Sequence, residues 1–284
     1  MILIFGATYN LYYNFRGRNM GKRPAVSHGS EAISIASEVI MNLDDINEMN
    51  VIHWVEYESI DVLEKCFTPQ KKTLLHEYIA YIHEFGMSYV IRKGDPEDTY
   101  YELEMLFDYY GLNYKDLRDK YKDDDYTYVR ELYERYLDQL VGVIVEDVFS
   151  VLYNDKNFLF KFNQQVSSII SQYKVEDYPN FLKEDGVIKR CEYFPEWLKK
   201  GVFHRDKGRC QICSTDLTKI LNLDNSENYD HIIPLKLSGG NDPTNIQLTC
   251  EHCNKSKGAR NCSFKNIASP YWNLDSYDFV KTYY

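Results

Sequence analysis

The sequence predicts a mainly α-helical N-terminal domain followed by a small, zinc-stabilised C-terminal domain, and three observations carry that expectation. Between Ser30 and Tyr173 the apolar residues recur mostly at helical spacing. The formal charge of −10 over 284 residues is unevenly spread: residues 1–190 hold 21 basic and 32 acidic side chains, whereas residues 191–284 hold 12 and 11. Four of the seven cysteines form two C-x-x-C pairs, Cys210/Cys213 and Cys250/Cys253, both in the less acidic part. The boundary is expected between residues 180 and 190, giving domains of 1–180 and 190–284.

The elements follow in order. MILIF at the start reads as a short strand, and Gly17, Gly21 and Pro24 mark a loop. SEAISIASEVIMNL from Ser30 has a helical pattern. NVIHWVEYES (50–59) fits a strand or a helix. Helices are expected at 69–93 and at 96–111, the second opened by Pro96 with Glu97 and Asp98 and closed by Gly111. Residues 123–153 form the longest periodic run, and a further helix covers 158–173. The Lys183–Gly186 turn lies in the expected linker. A short helix then begins at Pro195 and runs into a turn at Asp206–Gly208, just before the first cysteine pair.

Composition excludes several classes. With 44% hydrophobic and 27% charged residues the chain is globular rather than disordered. No apolar run approaches the roughly 18–20 residues of a membrane helix. The first residues lack a basic leader, so an intracellular, cytoplasmic protein is expected. An odd cysteine count is a poor disulfide framework. The net acidity disfavours a nucleic-acid groove binder in residues 1–180, but leaves that role open to the C-terminal third.

Two C-x-x-C pairs offer four thiolates for a closed tetrahedral zinc site, with Cys210, Cys213, Cys250 and Cys253 as ligands. The redox alternative expects one such pair beside a βαβ pattern, which is missing. Between and behind the pairs stand Asp230-His231, Pro234, Gly239-Gly240, Asn245 and Leu248, then Asn254 directly after Cys253.

The order D-H-x-x-P, G-G, N-x-x-L, C-x-x-C-N-x-x-K resembles the HNH endonuclease family, the ββα-metal nucleases, over roughly residues 195–262. The resemblance implies a small α+β fold and metal-dependent hydrolysis of DNA phosphodiesters, leaving a 5′-phosphate and a 3′-hydroxyl. In the family the middle asparagine steadies the loop behind the base, and Asn245 matches it. Asn254 stands where many members have a final histidine. The residues support this chemistry. Neutral His231 can take a proton from water near pH 7. Asp230 points to the other face of a strand and can ligate Mg²⁺ or Mn²⁺. Asn254 adds a carbonyl oxygen. Few protein ligands leave room for phosphate and water.

Arg205, Lys255, Lys257 and Arg260 are candidate phosphate contacts, with Lys207, Arg209 and His204 nearby; a solvated charged face is the plain alternative. DNA, as duplex, is the expected substrate, and RNA is not separated from it. The rival reading is a non-catalytic zinc-bound module, from which the complete set Asp230, His231 and Asn254 distinguishes an enzyme. The acidic domain is expected to bind a protein partner, self-associate or regulate. By analogy the build resembles bacterial restriction or antiviral-defence effectors. His76 and His83 share a helical face and are expected to be buried, and the 26 tyrosines to pack rather than stack on bases.

Overall fold

The computed structural model describes residues 29–43, 49–220, 226–259 and 261–262. The expected strand at 1–5 and the candidate Arg260 lie outside them. The chain divides into two compact units. The first runs to Lys65 and resumes from Gln70 to Asn154; the second takes Cys66–Pro69 and the residues from Asp155 onward. The predicted fold class holds: a helical N-terminal region and a small C-terminal strand-plus-helix region.

The first unit is built from helices, three of which start at a single polar capping residue. After α1 (Gly29–Asn42), helix α2 (Val51–Glu58) resolves the ambiguous 50–59 segment. Asn50 accepts a hydrogen bond from the His53 N–H and so caps it. Helix α3 (Val62–Phe67) is followed by α4 (Leu74–Lys93) and α5 (Pro96–Tyr109); α5 is capped by Asp95 and carries Glu97 and Asp98 in its first turn. Helix α6 (Lys115–Lys120) precedes α7 (Asp125–Gln139), which Asp124 caps through the Thr127 N–H. The periodic run 123–153 is not one helix. It breaks at buried Leu140 (φ −103°), and α8 (Val141–Leu152) continues from there. Helix α4 packs on α1 and α8, and α5 on α7. Trp54, Tyr78, Phe107, Tyr128 and Tyr136 are fully buried, each large apolar body contributing about 2–3 kcal/mol. His76 and His83 are buried here as well.

The second unit begins earlier than the expected 180–190 boundary. Helix α9 (Lys156–Ile170), capped by Asp155, belongs to it. Two polar contacts fix α9 there. Asn163 Nδ2 donates to Thr244 Oγ1 at 3.1 Å, and Lys156 Nζ lies 3.0 Å from Asp206 Oδ1. The expected linker turn at Lys183–Gly186 lies in a hairpin of β1 (Leu182–Glu184) and β2 (Val187–Ile188), joined by Asp185-Gly186. Helix α10 (Glu196–Arg205) leads to the first cysteine pair. Strands β3 (Glu227–His231) and β4 (Ile246–Cys250) pair antiparallel, with Asp230 opposite Gln247 and His231 opposite Ile246. Helix α11 (Glu251–Lys257) follows β4 without a loop and packs on both strands, completing a ββα unit. The core around it is small: Leu198, Val202, Cys210, Leu217, Ile246, Leu248 and Cys253. So few apolar side chains hold a fold of this kind only with a further cross-link.

Candidate metal centre and active site

The cross-link is the cysteine cluster. Cys210 sits in a tight turn in which its N–H donates to Thr215 O at 2.9 Å and its carbonyl accepts from Ser214 N at 2.8 Å. Ser214 takes the left-handed conformation (φ 66°) that brings Cys213 back toward Cys210. At the other end Cys250 closes β4 and opens α11, its sulfur accepting the Cys253 N–H at 3.4 Å. The four sulfurs lie within 4.8 Å of one another, and Cys213 and Cys250 are 3.8 Å apart. A tetrahedron with Zn–S bonds of about 2.3 Å has edges of about 3.8 Å. The donor set and its spacing therefore fit zinc. His252, between the two cysteines of the second pair, is exposed and outside the cluster.

The residues from 232 to 245 form a compact loop, and it explains the glycine pair. A Cβ on Gly239 would stand 1.9 Å from Ile233 O, and one on Gly240 2.8 Å from the Cβ of Cys66. Asn245 fastens this loop. Its Oδ1 accepts from Ile233 N at 2.9 Å, and its Nδ2 donates to Ile233 O at 3.0 Å and Gly240 O at 2.9 Å. With every polar atom so engaged, Asn245 is a scaffold residue.

His231 ends β3 and is 2% exposed. Its Nε2 lies 3.1 Å from Oδ1 of Asn241, a residue that is fully buried. Both protons of Asn241 Nδ2 are spent on carbonyls, those of Phe67 at 2.8 Å and Lys189 at 3.0 Å. Oδ1 must therefore face the imidazole, and an amide oxygen only accepts, so Nε2 carries the ring proton and Nδ1 keeps the lone pair. Burial, more than any other influence, pulls the His231 pKa down to about 4. The hydrogen bond to Asn241 acts in the opposite direction, and Arg190 and Lys257 add to the lowering. The imidazole is neutral at pH 7. Phe194 lies against it, ring centroids 5.9 Å apart.

Asp230 emerges on the opposite side of β3 from His231, as strand alternation requires. Its Oδ2 accepts from Lys257 Nζ at 2.7 Å, and the same ammonium reaches His231 O. Lys257 lies one turn after Asn254 on α11, so both belong to the helix face turned to β3. A carboxylate and an amide oxygen are hard donors that fit Mg²⁺ or Mn²⁺, with Lys257 already balancing part of the Asp230 charge.

The basic residues need correction. Arg205 is not a surface cation. It is 8% exposed, its guanidinium pairs with Asp206 (2.8 and 3.1 Å) and reaches Ile246 O, and Asp206 in turn accepts from Leu248 N at 2.7 Å. That pair ties α10 to β4. Lys257, at 6% exposure, faces Asp230 rather than solvent. Lys255 is exposed but shares its charge with Glu251. Lys207, Arg209 and His204 are exposed. Asn241 is the residue that sequence reasoning missed; its only signal is a polar side chain directly after the two glycines.

Residues 210–260 match the family model described as HNH endonuclease. The chain thus carries an HNH module of nuclease type, holding both cysteine pairs, Asp230, His231, Asn245 and Asn254. No curated protein and no solved structure matches the chain. Among the described residues, no helix is long and apolar enough to cross a membrane.

Proposed function

We propose that the protein is a metal-dependent endonuclease hydrolysing DNA phosphodiester bonds, with Mg²⁺ or Mn²⁺ as catalytic ion and zinc as structural ion. The observation that carries this reading is the junction of β3 and α11. One strand presents Asp230 and His231 on opposite faces, one helix presents Asn254, and the tetrathiolate cluster pins that helix to the strands. Asp230 and Asn254 would hold the ion, which supplies positive charge to the phosphate and the leaving oxygen. His231 Nδ1 accepts the proton of the attacking water, and Asn241 keeps the ring in the tautomer that leaves Nδ1 free. Four reduced thiolates suit a reducing compartment, the cytoplasm.

The helical unit supports a second part of the proposal, contact with a protein partner or a second copy. Its α1 exposes Ile33, Ile40 and Met41, and α5 exposes Tyr101 and Met105 one turn apart. Light scattering of the full chain tests self-association.

The nuclease reading is tested by incubating the full chain with plasmid, linear duplex, single-stranded DNA and RNA, with and without Mg²⁺ or Mn²⁺. Duplex cleavage that needs the ion is expected, and His231→Ala lowers it at least about 100-fold with zinc retained. Cleavage of RNA alone would replace the substrate. Equal activity in His231→Ala would move the base elsewhere.

A further inference from the structure

Arg190 lies outside the matched region, two residues after β2, and the structure gives its side chain no architectural task. Its neighbour Lys189 does have one: Nζ donates to Pro179 O at 2.8 Å and to Asn180 O at 3.2 Å. Arg190 is exposed, and its guanidinium makes no ion pair or hydrogen bond among the described residues. Its backbone, by contrast, is held on both sides by one side chain. Asn241 donates to Lys189 O at 3.0 Å and its Oδ1 faces the Cys191 N–H at 3.4 Å. That same Oδ1 is 3.1 Å from His231 Nε2. Through these two contacts the Cα of Arg190 lies within roughly 9 Å of the imidazole, and an arginine spans about 6 Å from Cα to its guanidinium.

We propose that Arg190 is a phosphate-contacting residue of this active site, presented to a nucleic-acid strand by the Asn241 clamp. The inference rests on the nuclease reading above and adds to it a residue that the family match does not contain. Two facts favour it. Of the cations at the site, Lys257 is neutralised by Asp230, whereas Arg190 has no counter-charge among the described residues. A guanidinium offers paired N–H donors that match two oxygens of one phosphate, a fit no lysine reproduces. An exposed guanidinium on backbone clamped close to a buried base is thus within reach of the phosphate next to the bond being cut.

The test uses the full chain and a fluorescein-labelled duplex oligonucleotide. Anisotropy in EDTA, over a series of salt concentrations, reads binding. Steady-state cleavage with Mg²⁺ reads turnover. The variants are Arg190→Ala, Arg190→Lys, His231→Ala and, as a charge control elsewhere in the same unit, the exposed Lys183→Ala. Arg190→Ala is expected to weaken binding about 10- to 100-fold and to reduce the salt slope by about 0.9. Arg190→Lys restores the slope but only part of the affinity and kcat/KM. Lys183→Ala changes affinity less than threefold. If Arg190→Ala matches the wild type in affinity, slope and kcat/KM while His231→Ala abolishes cleavage, the assignment of Arg190 falls and the nuclease reading stands. Equal losses in Arg190→Ala and Lys183→Ala would also overturn it, reducing Arg190 to general charge. If the wild type neither binds nor cuts the duplex with either ion, both fall together.

Discussion

The two units bury different things. Among the described residues, five polar or charged side chains are buried in the first unit, Asn50, Thr73, His76, His83 and Thr99, against 14 in the second. The helical unit is held by aromatic and aliphatic side chains that meet because α-helical periodicity turns them to one face. The HNH unit is held by buried polar side chains: Asn245 bonds backbone across its loop, Asn241 bonds the backbone of Phe67 and Lys189 and the His231 ring, and Asp206 accepts from the Arg205 guanidinium and Leu248 N. Apolar packing tolerates exchange of one residue for another of similar volume. A buried amide with every atom engaged does not, because each lost partner leaves a desolvated group behind. The second unit is therefore the less tolerant of exchange at its buried positions, and the small core of its ββα part calls for the cross-link of the cysteine cluster.

The largest effect that follows is loss of that metal. Cys253→Ser removes one of the four thiolates and one of the buried core side chains. Structural zinc contributes about 10–16 kcal/mol to small domains of this type, so the second unit should unfold while the first keeps its helices. Elemental analysis with limited proteolysis reads both. Zinc-free protein with a protease-resistant second unit would show that the polar network suffices alone, and the contrast drawn here would fail.

A smaller effect separates the network from the metal. Lys257 Nζ, on a side chain 1% exposed, pairs with Asp230. Lys257→Met leaves a carboxylate facing an apolar group, which costs about 3 kcal/mol, with zinc retained. Added Mg²⁺ or Mn²⁺ should recover part of the loss by taking the place of the ammonium. A thermal melt with and without the ion measures this. No difference between the two melts would mean that Asp230 does not ligate the ion.

The same contrast decides what was legible in the sequence. The helices of the first unit are visible mainly in their period, and at α5 in the Pro96 start with Glu97 and Asp98, because both signals are local. The metal cluster is legible for another reason: C-x-x-C is a local turn, and only one pairing of two such turns makes a tetrahedron. What was not legible depends on contacts far apart in sequence. The unit boundary moved upstream of α9 because Asn163 meets Thr244 and Lys156 meets Asp206. Asn241 gains its role from Phe67, Lys189 and His231, three segments that no periodicity connects. Arg205 is the instructive error. Its basic neighbours suggested a surface cation, yet Leu198, Val202 and Arg205 share one helical face, and that phase assigns Arg205 to the buried side.

The smallest expected effect concerns acid, and it should part the two units in order. In the first unit Glu146 on α8 has its Oε2 3.8 Å from His76 Nε2 and pairs with Lys72. The approach of His76, with the hydrogen bond and charge of Lys72, outweighs burial and draws the Glu146 pKa from 4.5 down to about 2. A folded value below the unfolded one means that the unfolded chain binds more protons between the two. The stabilisation is complete above pH 4.5 and is lost progressively as pH falls toward 2. Zinc thiolates take up protons on acidification and release the metal, so the second unit should give way while the first still holds. Urea denaturation from pH 6 to pH 3, following helix content, reads the first unit, and Glu146→Gln should flatten its decline below pH 4.5. Identical slopes in wild type and variant would mean that Glu146 is not what holds the helical unit against acid, and that its resistance comes from apolar packing alone.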